Sequence, residues 1–173
     1  GVAMGAPTRF ERELAALICE RFPAVDQVRF CNTGTEANIM ALQTARAITG
    51  REKILVFEGA YHGGVIRVPA GASSPLNIPY DFVLGIYNDV DNAVELIDRE
   101  ADQLAAVIVE PIMGAGGNIP GSIEFLETLR RKSKEVGAIL IFDEVKTSRL
   151  GPGGLHGMLG IVPDITSIGK YIG

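Results

Sequence analysis

AILIFDE, residues 138–144, is five apolar residues closed by two acids. A short, unbroken apolar run of this kind reads as a strand buried on both faces of a parallel sheet. KILVF at 53–57 and AAVIVE at 105–110 share the form, the latter also closing on an acid. Shorter strands are expected at Val28–Cys31, Phe82–Ile86 and Ile165–Ile168. Helix-period segments lie between them. The first runs from Thr8 to Phe22, with Thr8 as cap, Glu11 three residues on, and Phe10, Leu14, Leu17 and Ile18 on one face. The others are Thr35–Thr49, stopped by Gly50, then Val90–Glu100, and Ser122–Val136, stopped by Gly137. Their inward stripes are Ile39, Leu42 and Ala45 in the one, and Phe125, Leu126 and Leu129 in the last. This alternation predicts an α/β three-layer sandwich, a mostly parallel sheet with helices on both faces. No repeat or linker divides the chain, so residues 1–173 read as one domain.

Composition narrows the class. No apolar run approaches the roughly 20 residues of a membrane span, and the N-terminus lacks the pattern of a signal peptide. The formal charge of −5 argues against a nucleic-acid partner, which calls for a basic face. Cys19 and Cys31 have neither disulfide nor metal spacing, and are expected as two buried thiols of a cytoplasmic protein. With histidines only at 62 and 156, a His-rich zinc site is not expected.

The polar residues able to do chemistry gather at strand C-terminal ends, where open α/β sheets bind ligands. Asn32-Thr33-Gly34-Thr35 opens a helix, where exposed N–H groups and the helix dipole favour an anion. The same residues serve equally as a cap, with Thr35 as the capping residue. Asp143 stands at the mouth of the sheet, where a carboxylate needs a partner. A cofactor with a protonated ring nitrogen would supply one; a loop cap and a metal ligand are the alternatives. Glu144 reads as facing the other way, in a structural role. Lys170, between Gly169 and Tyr171, becomes a nucleophile if desolvated, and is otherwise a surface lysine. Tyr61 and His62 offer an aromatic face and an imidazole, or simple packing.

Five blocks then occur in order: NTGTEAN at 32–38, YHGG at 61–64, VEP at 109–111, DEVKTSR at 143–149 and PDITSIGK at 163–170. Together they resemble class III aminotransferases and the related glutamate-1-semialdehyde 2,1-aminomutases, fold-type I enzymes that use pyridoxal 5′-phosphate (PLP). The resemblance covers essentially the whole chain. It implies the large, PLP-binding domain of such an enzyme, with Lys170 holding the cofactor as a Schiff base and Asp143 pairing with the pyridine nitrogen. By the same resemblance Val145 packs on one ring face and Tyr61 on the other. Thr33, Gly34 and Thr35 hold the phosphate, His62 and Glu110 line the cofactor site, and Glu36 supports the substrate side. Amino acids and keto acids are the implied small-molecule partners, and a homodimer the implied assembly.

Two residues depart from the family pattern, the first bearing on the substrate pocket and the second on a polar cofactor contact. Lys146 stands where Met or Gln is usual in the family, and Met113 stands where Gln is frequent. The form TSRL-x-PGGL at 147–155, with YHGG, is more like the β-amino-acid (β-phenylalanine-type) aminotransferases. The resemblance also implies that an N-terminal segment, a C-terminal small domain and the carboxylate-binding arginines lie outside these residues. The 173 residues alone are then expected to be inactive. An aminomutase is the nearest alternative, and a non-catalytic module binding a phosphorylated metabolite the alternative from another class.

Overall fold

The computed structural model describes residues 8–22, 24–69 and 74–172. Its frame is a five-stranded sheet made of β1 (Lys53–Phe57), β2 (Phe82–Gly85), β3 (Leu104–Val109), β6 (Ile139–Asp143) and β7 (Ile165–Ser167). The order across the sheet is β2-β1-β3-β6-β7, with every pair parallel. A small antiparallel hairpin, β4 (Ile112–Met113) with β5 (Ile119–Pro120), stands apart from it.

The apolar runs are continuous because each strand feeds two cores. From β3, Val107 and Val109 face one side while Ala106 and Ile108 face the other. Helices α3 (Val90–Arg99) and α4 (Ile123–Val136) cover the first side. There Phe125, Leu126 and Leu129 are fully buried against Phe57, Leu140 and Phe142. Burial of such a side chain contributes roughly 1.5–3 kcal/mol. Helix α2 (Gly34–Thr49) covers the second side through Ala41, Leu42 and Ala45, over Ile54, Val56 and Ile141. The three-layer sandwich is therefore present as expected.

Local signals set the helix ends. Ser122 caps α4 by accepting from the Phe125 N–H at 3.1 Å, and α2 and α4 stop at Gly50 and Gly137 in left-handed caps. On α2 the capping residue is Thr33, not Thr35: its Oγ1 accepts from the Glu36 N–H at 3.1 Å.

Other expectations need correction. Val28–Cys31 forms no strand: it pairs with neither edge of the main sheet. Helix α1 (Arg9–Arg21) forms, yet Phe10, Leu14 and Leu17 are exposed and only Ile18 of the expected face is buried. Thr8 makes no side-chain cap bond there. Cys19 and Cys31 are free, as expected, but half-buried. The hairpin, a 3-10 turn at Ser148–Leu150 and helix α5 (Gly154–Leu159) were not anticipated.

The register positions the site. Val109 pairs with Phe142, so Glu110 and Asp143, the next residue of each chain segment, emerge side by side; Asp143 in turn pairs with Ser167. The chain runs outward from β1 to β2 and returns past β1 to β3, which places a topological switch between β1 and β3.

Candidate active site

A cavity of about 470 Å³ opens at this edge of the sheet. Gly34, Thr35, Asn38, Tyr61, His62, Gly63, Glu110, Asp143, Val145 and Lys170 line it, so residues from five of the sequence blocks meet in one place. Thr33 and Glu36 do not line it. They serve the helix start instead: Glu36 Oε2 accepts from the Asn32 N–H at 2.7 Å, in return for the bond from its own N–H to Thr33.

Asp143 is the floor. It is 6% exposed, and both its oxygens are engaged. Asn38 Nδ2 donates to Oδ2 at 2.7 Å, and His62 Nδ1 lies 2.9 Å from the same atom. The Val145 N–H and the Ser167 hydroxyl donate to Oδ1 at 3.2 and 3.3 Å. Burial pushes the Asp143 carboxyl up, but His62, Asn38 and the Val145 N–H outweigh it and hold its pKa below the ordinary aspartate value. The group is therefore an anion. An ionised carboxylate only accepts, so His62 Nδ1 carries the hydrogen. Asn38 also donates to the His62 carbonyl at 3.0 Å, which fixes the histidine loop to α2.

Glu110 is similarly held: Oε1 accepts from the Tyr61 N–H at 3.0 Å and Oε2 from the Gly114 N–H at 2.9 Å. Its carbonyl accepts from Tyr87 Oη at 2.8 Å, and burial together with Glu110 pushes the Tyr87 phenol pKa up. Met113 is buried beside Gly59, where a Cβ would come within 2.8 Å of its sulfur.

The opposite wall is the start of α2. The first-turn N–H groups of Gly34 and Thr35 have no carbonyl one turn earlier within the helix. Gly63 crosses close over them at φ +126°, and a Cβ there would sit 2.8 Å from Thr35 Cα. The Gly64 N–H donates to Thr35 Oγ1 at 3.2 Å. Val145 packs toward two glycines: a Cβ at Gly34 would lie 3.3 Å from its Cγ2 and one at Gly169 3.5 Å from its Cγ1. Tyr61 is half-exposed at the cavity, with the Arg67 guanidinium 5.9 Å from its ring centre. Lys170 follows β7 and is exposed, the surface-lysine alternative, with a left-handed backbone, φ 59°, which a non-glycine residue seldom adopts.

Sequence reading missed Asn38 and Ser167 as site residues. A signal existed for Asn38: it stands one turn before the buried pair Ala41 and Leu42, a polar residue in an apolar stripe. Glu144 faces away, as expected. His156 Nδ1 lies 2.5 Å from its Oε1, and the Leu155 N–H and Thr147 hydroxyl donate to Oε2 at 2.7 and 3.0 Å. Among the described residues no cluster suits a metal ion, and no helix is long and apolar enough to cross a membrane.

These features fit a phosphorylated pyridine. An anionic carboxylate can pair with a protonated ring nitrogen and a helix N-terminus can receive a phosphate, and both border this one cavity. Glycines keep the wall at Val145 thin. Two buried polar atoms in the same walls, His62 Nε2 and Asn38 Oδ1, have no partner among the described residues. A larger cleft, between α1 and α5, is lined by His156 and holds none of these groups.

Known proteins agree. The chain is 51% identical over its full length to the beta-phenylalanine transaminase of Variovorax paradoxus, of which it covers 40%. It is 40% identical to a glutamate-1-semialdehyde 2,1-aminomutase of Lysinibacillus sphaericus, covering all of this chain and 44% of that protein. It therefore spans about 40% of the curated relatives it matches. The crystal structure of the Variovorax paradoxus β-phenylalanine aminotransferase superposes with a TM-score of 0.94, over 98% of this chain and 39% of that one. An omega-transaminase from Sphaerobacter thermophilus superposes at 0.88, with 38% identity, over 98% of this chain and 43% of that one. The sheet and its helices are thus those of the fold-type I PLP-dependent transferases, and PLP is the cofactor of the class. With residues 3–173 matching the family model Aminotransferase class-III, the chain belongs to the class III aminotransferases.

Proposed function

We propose that the protein containing this chain is a PLP-dependent transaminase that moves an amino group from a β-amino acid to a keto acid. The observation that carries the reading is the meeting, in one cavity, of a buried anionic Asp143, the N-terminus of α2 and Lys170. The 51% identity to a β-phenylalanine transaminase supports the donor class.

In this reading Gly34 and Thr35 bind the cofactor phosphate through the first turn of α2, with Thr33 and Glu36 holding that turn in shape. Val145 and Tyr61 enclose the ring. Asp143 orients the ring by its nitrogen and keeps that nitrogen protonated, while Asn38, His62 and Ser167 keep Asp143 charged and fixed. Glu110 braces the wall by binding the Tyr61 and Gly114 N–H groups. The bound cofactor supplies an electron sink for the pair released at the substrate carbon. Lys170 Nζ would hold the cofactor, and as an amine beside that carbon it would give and take the proton there. The assembly is a homodimer in the cytoplasm, with the remainder of the protein supplying a small domain.

The test is a single-turnover experiment on the full-length protein with β-phenylalanine and no keto acid. One equivalent of product, then arrest until a keto acid is added, is the transaminase result. Continued turnover without an acceptor points to an aminomutase and overturns the proposal.

A further inference from the structure

Tyr61 and His62 ride on a hairpin that folds the chain back on itself after β1. The Gly59 and Val68 N–H groups donate to the Val68 and Ala60 carbonyls at 2.6 and 3.0 Å, and the His62 N–H donates to the Ile66 carbonyl at 2.9 Å. Alternation then sorts the side chains. Ala60, His62, Ile66 and Val68 are buried, while Tyr61 and Arg67 are exposed. These two stand opposite each other in an antiparallel bridge, so their side chains share one face. The Arg67 guanidinium lies 5.9 Å from the centre of the Tyr61 ring, within the reach of a cation over an aromatic face.

Arg67 is itself fixed from outside the hairpin. The Asn77 side chain clasps its backbone: Oδ1 accepts from the Arg67 N–H at 2.8 Å, and Nδ2 donates to the Arg67 carbonyl at 2.7 Å. The next residue along, Ile78, donates its N–H to the Val65 carbonyl at 3.0 Å. Tyr61 is held differently. Its N–H donates to Glu110, but its side chain is 46% exposed, and such a ring can turn about two side-chain torsions. Tyr61 lines the cavity and Arg67 does not, so the guanidinium backs the ring and does not enter the cavity.

We propose that Arg67 is a positioning residue whose guanidinium holds the Tyr61 ring in the plane that meets the cofactor. The inference rests on the transaminase reading, in which Tyr61 and Val145 enclose the cofactor ring. A cation is attracted to the face of an aromatic ring, and one anchored through its own backbone restrains the ring it sits on. A ring already held loses less conformational freedom when the cofactor arrives, so the cofactor binds more tightly.

The experiment is a double-mutant cycle on the full-length protein. Wild type, Arg67→Met, Tyr61→Leu and the double variant are each stripped of PLP and titrated with it, and the visible circular dichroism of the bound cofactor is recorded. Arg67→Met is expected to weaken PLP about two- to fivefold, the scale of an exposed cation–π contact, and to reduce the cofactor's circular dichroism. Arg67→Lys should restore most of both. With Tyr61→Leu in place, Arg67→Met should change neither. The proposal falls if Arg67→Met has the same effect in both backgrounds, if it has none in wild type, or if Arg67→Lys does no better than Arg67→Met. Borohydride trapping of PLP on Lys170 of wild type tests the transaminase reading separately. Without trapping, that reading fails and this inference with it; with trapping, an uncoupled cycle overturns the role of Arg67 alone.

Discussion

Asp143 and Glu144 are neighbours at the end of β6, and both are buried carboxylates paired with a histidine Nδ1, at 2.9 and 2.5 Å. Alternation along the strand sends them to opposite sides. Asp143 lines the cavity, with Asn38, His62 and Ser167 around it. Glu144 is enclosed by its own downstream segment, receiving the Leu155 and His156 N–H groups and the Thr147 hydroxyl, and so ties the start of α5 to the sheet. The same chemical device thus does two jobs, and what separates them is where the remaining polar capacity points. Around Asp143, His62 Nε2 and Asn38 Oδ1 remain unpartnered in walls of the cavity.

The comparison breaks first at Asp143. In the full-length protein Asp143→Asn should retain PLP yet slow the amino-transfer half-reaction on the order of 10⁴-fold, the scale seen when a buried aspartate that fixes its partner's protonation is neutralised. Rapid-mixing absorbance measures it, and a near-normal rate would remove Asp143 from the ring-nitrogen role. Glu144→Gln should do the reverse. It weakens the acceptor of the Leu155 and His156 N–H groups and the Thr147 hydroxyl and should lower unfolding free energy by about 1–3 kcal/mol, while slowing the half-reaction far less than Asp143→Asn. A denaturant series on the same samples reads it, and equal kinetic losses in the two variants would erase the distinction.

Acid gives a smaller, shared effect. Burial raises both carboxyls, but their histidine and N–H partners outweigh it, so both folded-state pKa values lie below the ordinary ones. Groups shifted down contribute stability that is complete above the unfolded values, at about pH 4, and is lost as pH falls through the folded values. The urea midpoint should therefore drop as pH is lowered below about 4.5, and Asp143→Asn and Glu144→Gln should each make that drop shallower. A variant as acid-sensitive as wild type would show that its carboxylate is not held as described.

Much of this architecture could be read from the chain before any coordinates. The runs at 54–57, 105–109 and 138–142 fell in β1, β3 and β6 because strands buried on two faces take apolar residues throughout. Asp143, Glu110 and Lys170 came to one edge because parallel strands carry their C-terminal residues to the same side. What failed was information held in pairing and packing partners. Val28–Cys31 has a strand's residues without a strand neighbour to bond, and the apolar face of α1 has only Ile18 covered among the described residues. The β4–β5 hairpin has two residues per strand, too short to show any period, although it carries Asn118 to Lys146. Thr33 and Glu36 were legible as polar residues at a helix start; that they bond the backbone there is a matter of a single turn's geometry.

The two lysines of the cavity provide the most direct test. Lys170 is assigned the covalent bond to the cofactor, while Lys146 is held by Asn118. Borohydride reduction of the full-length, PLP-loaded protein, followed by peptide mapping, should find the pyridoxyl group on Lys170 alone. Its recovery on Lys146, or on neither, would contradict the account.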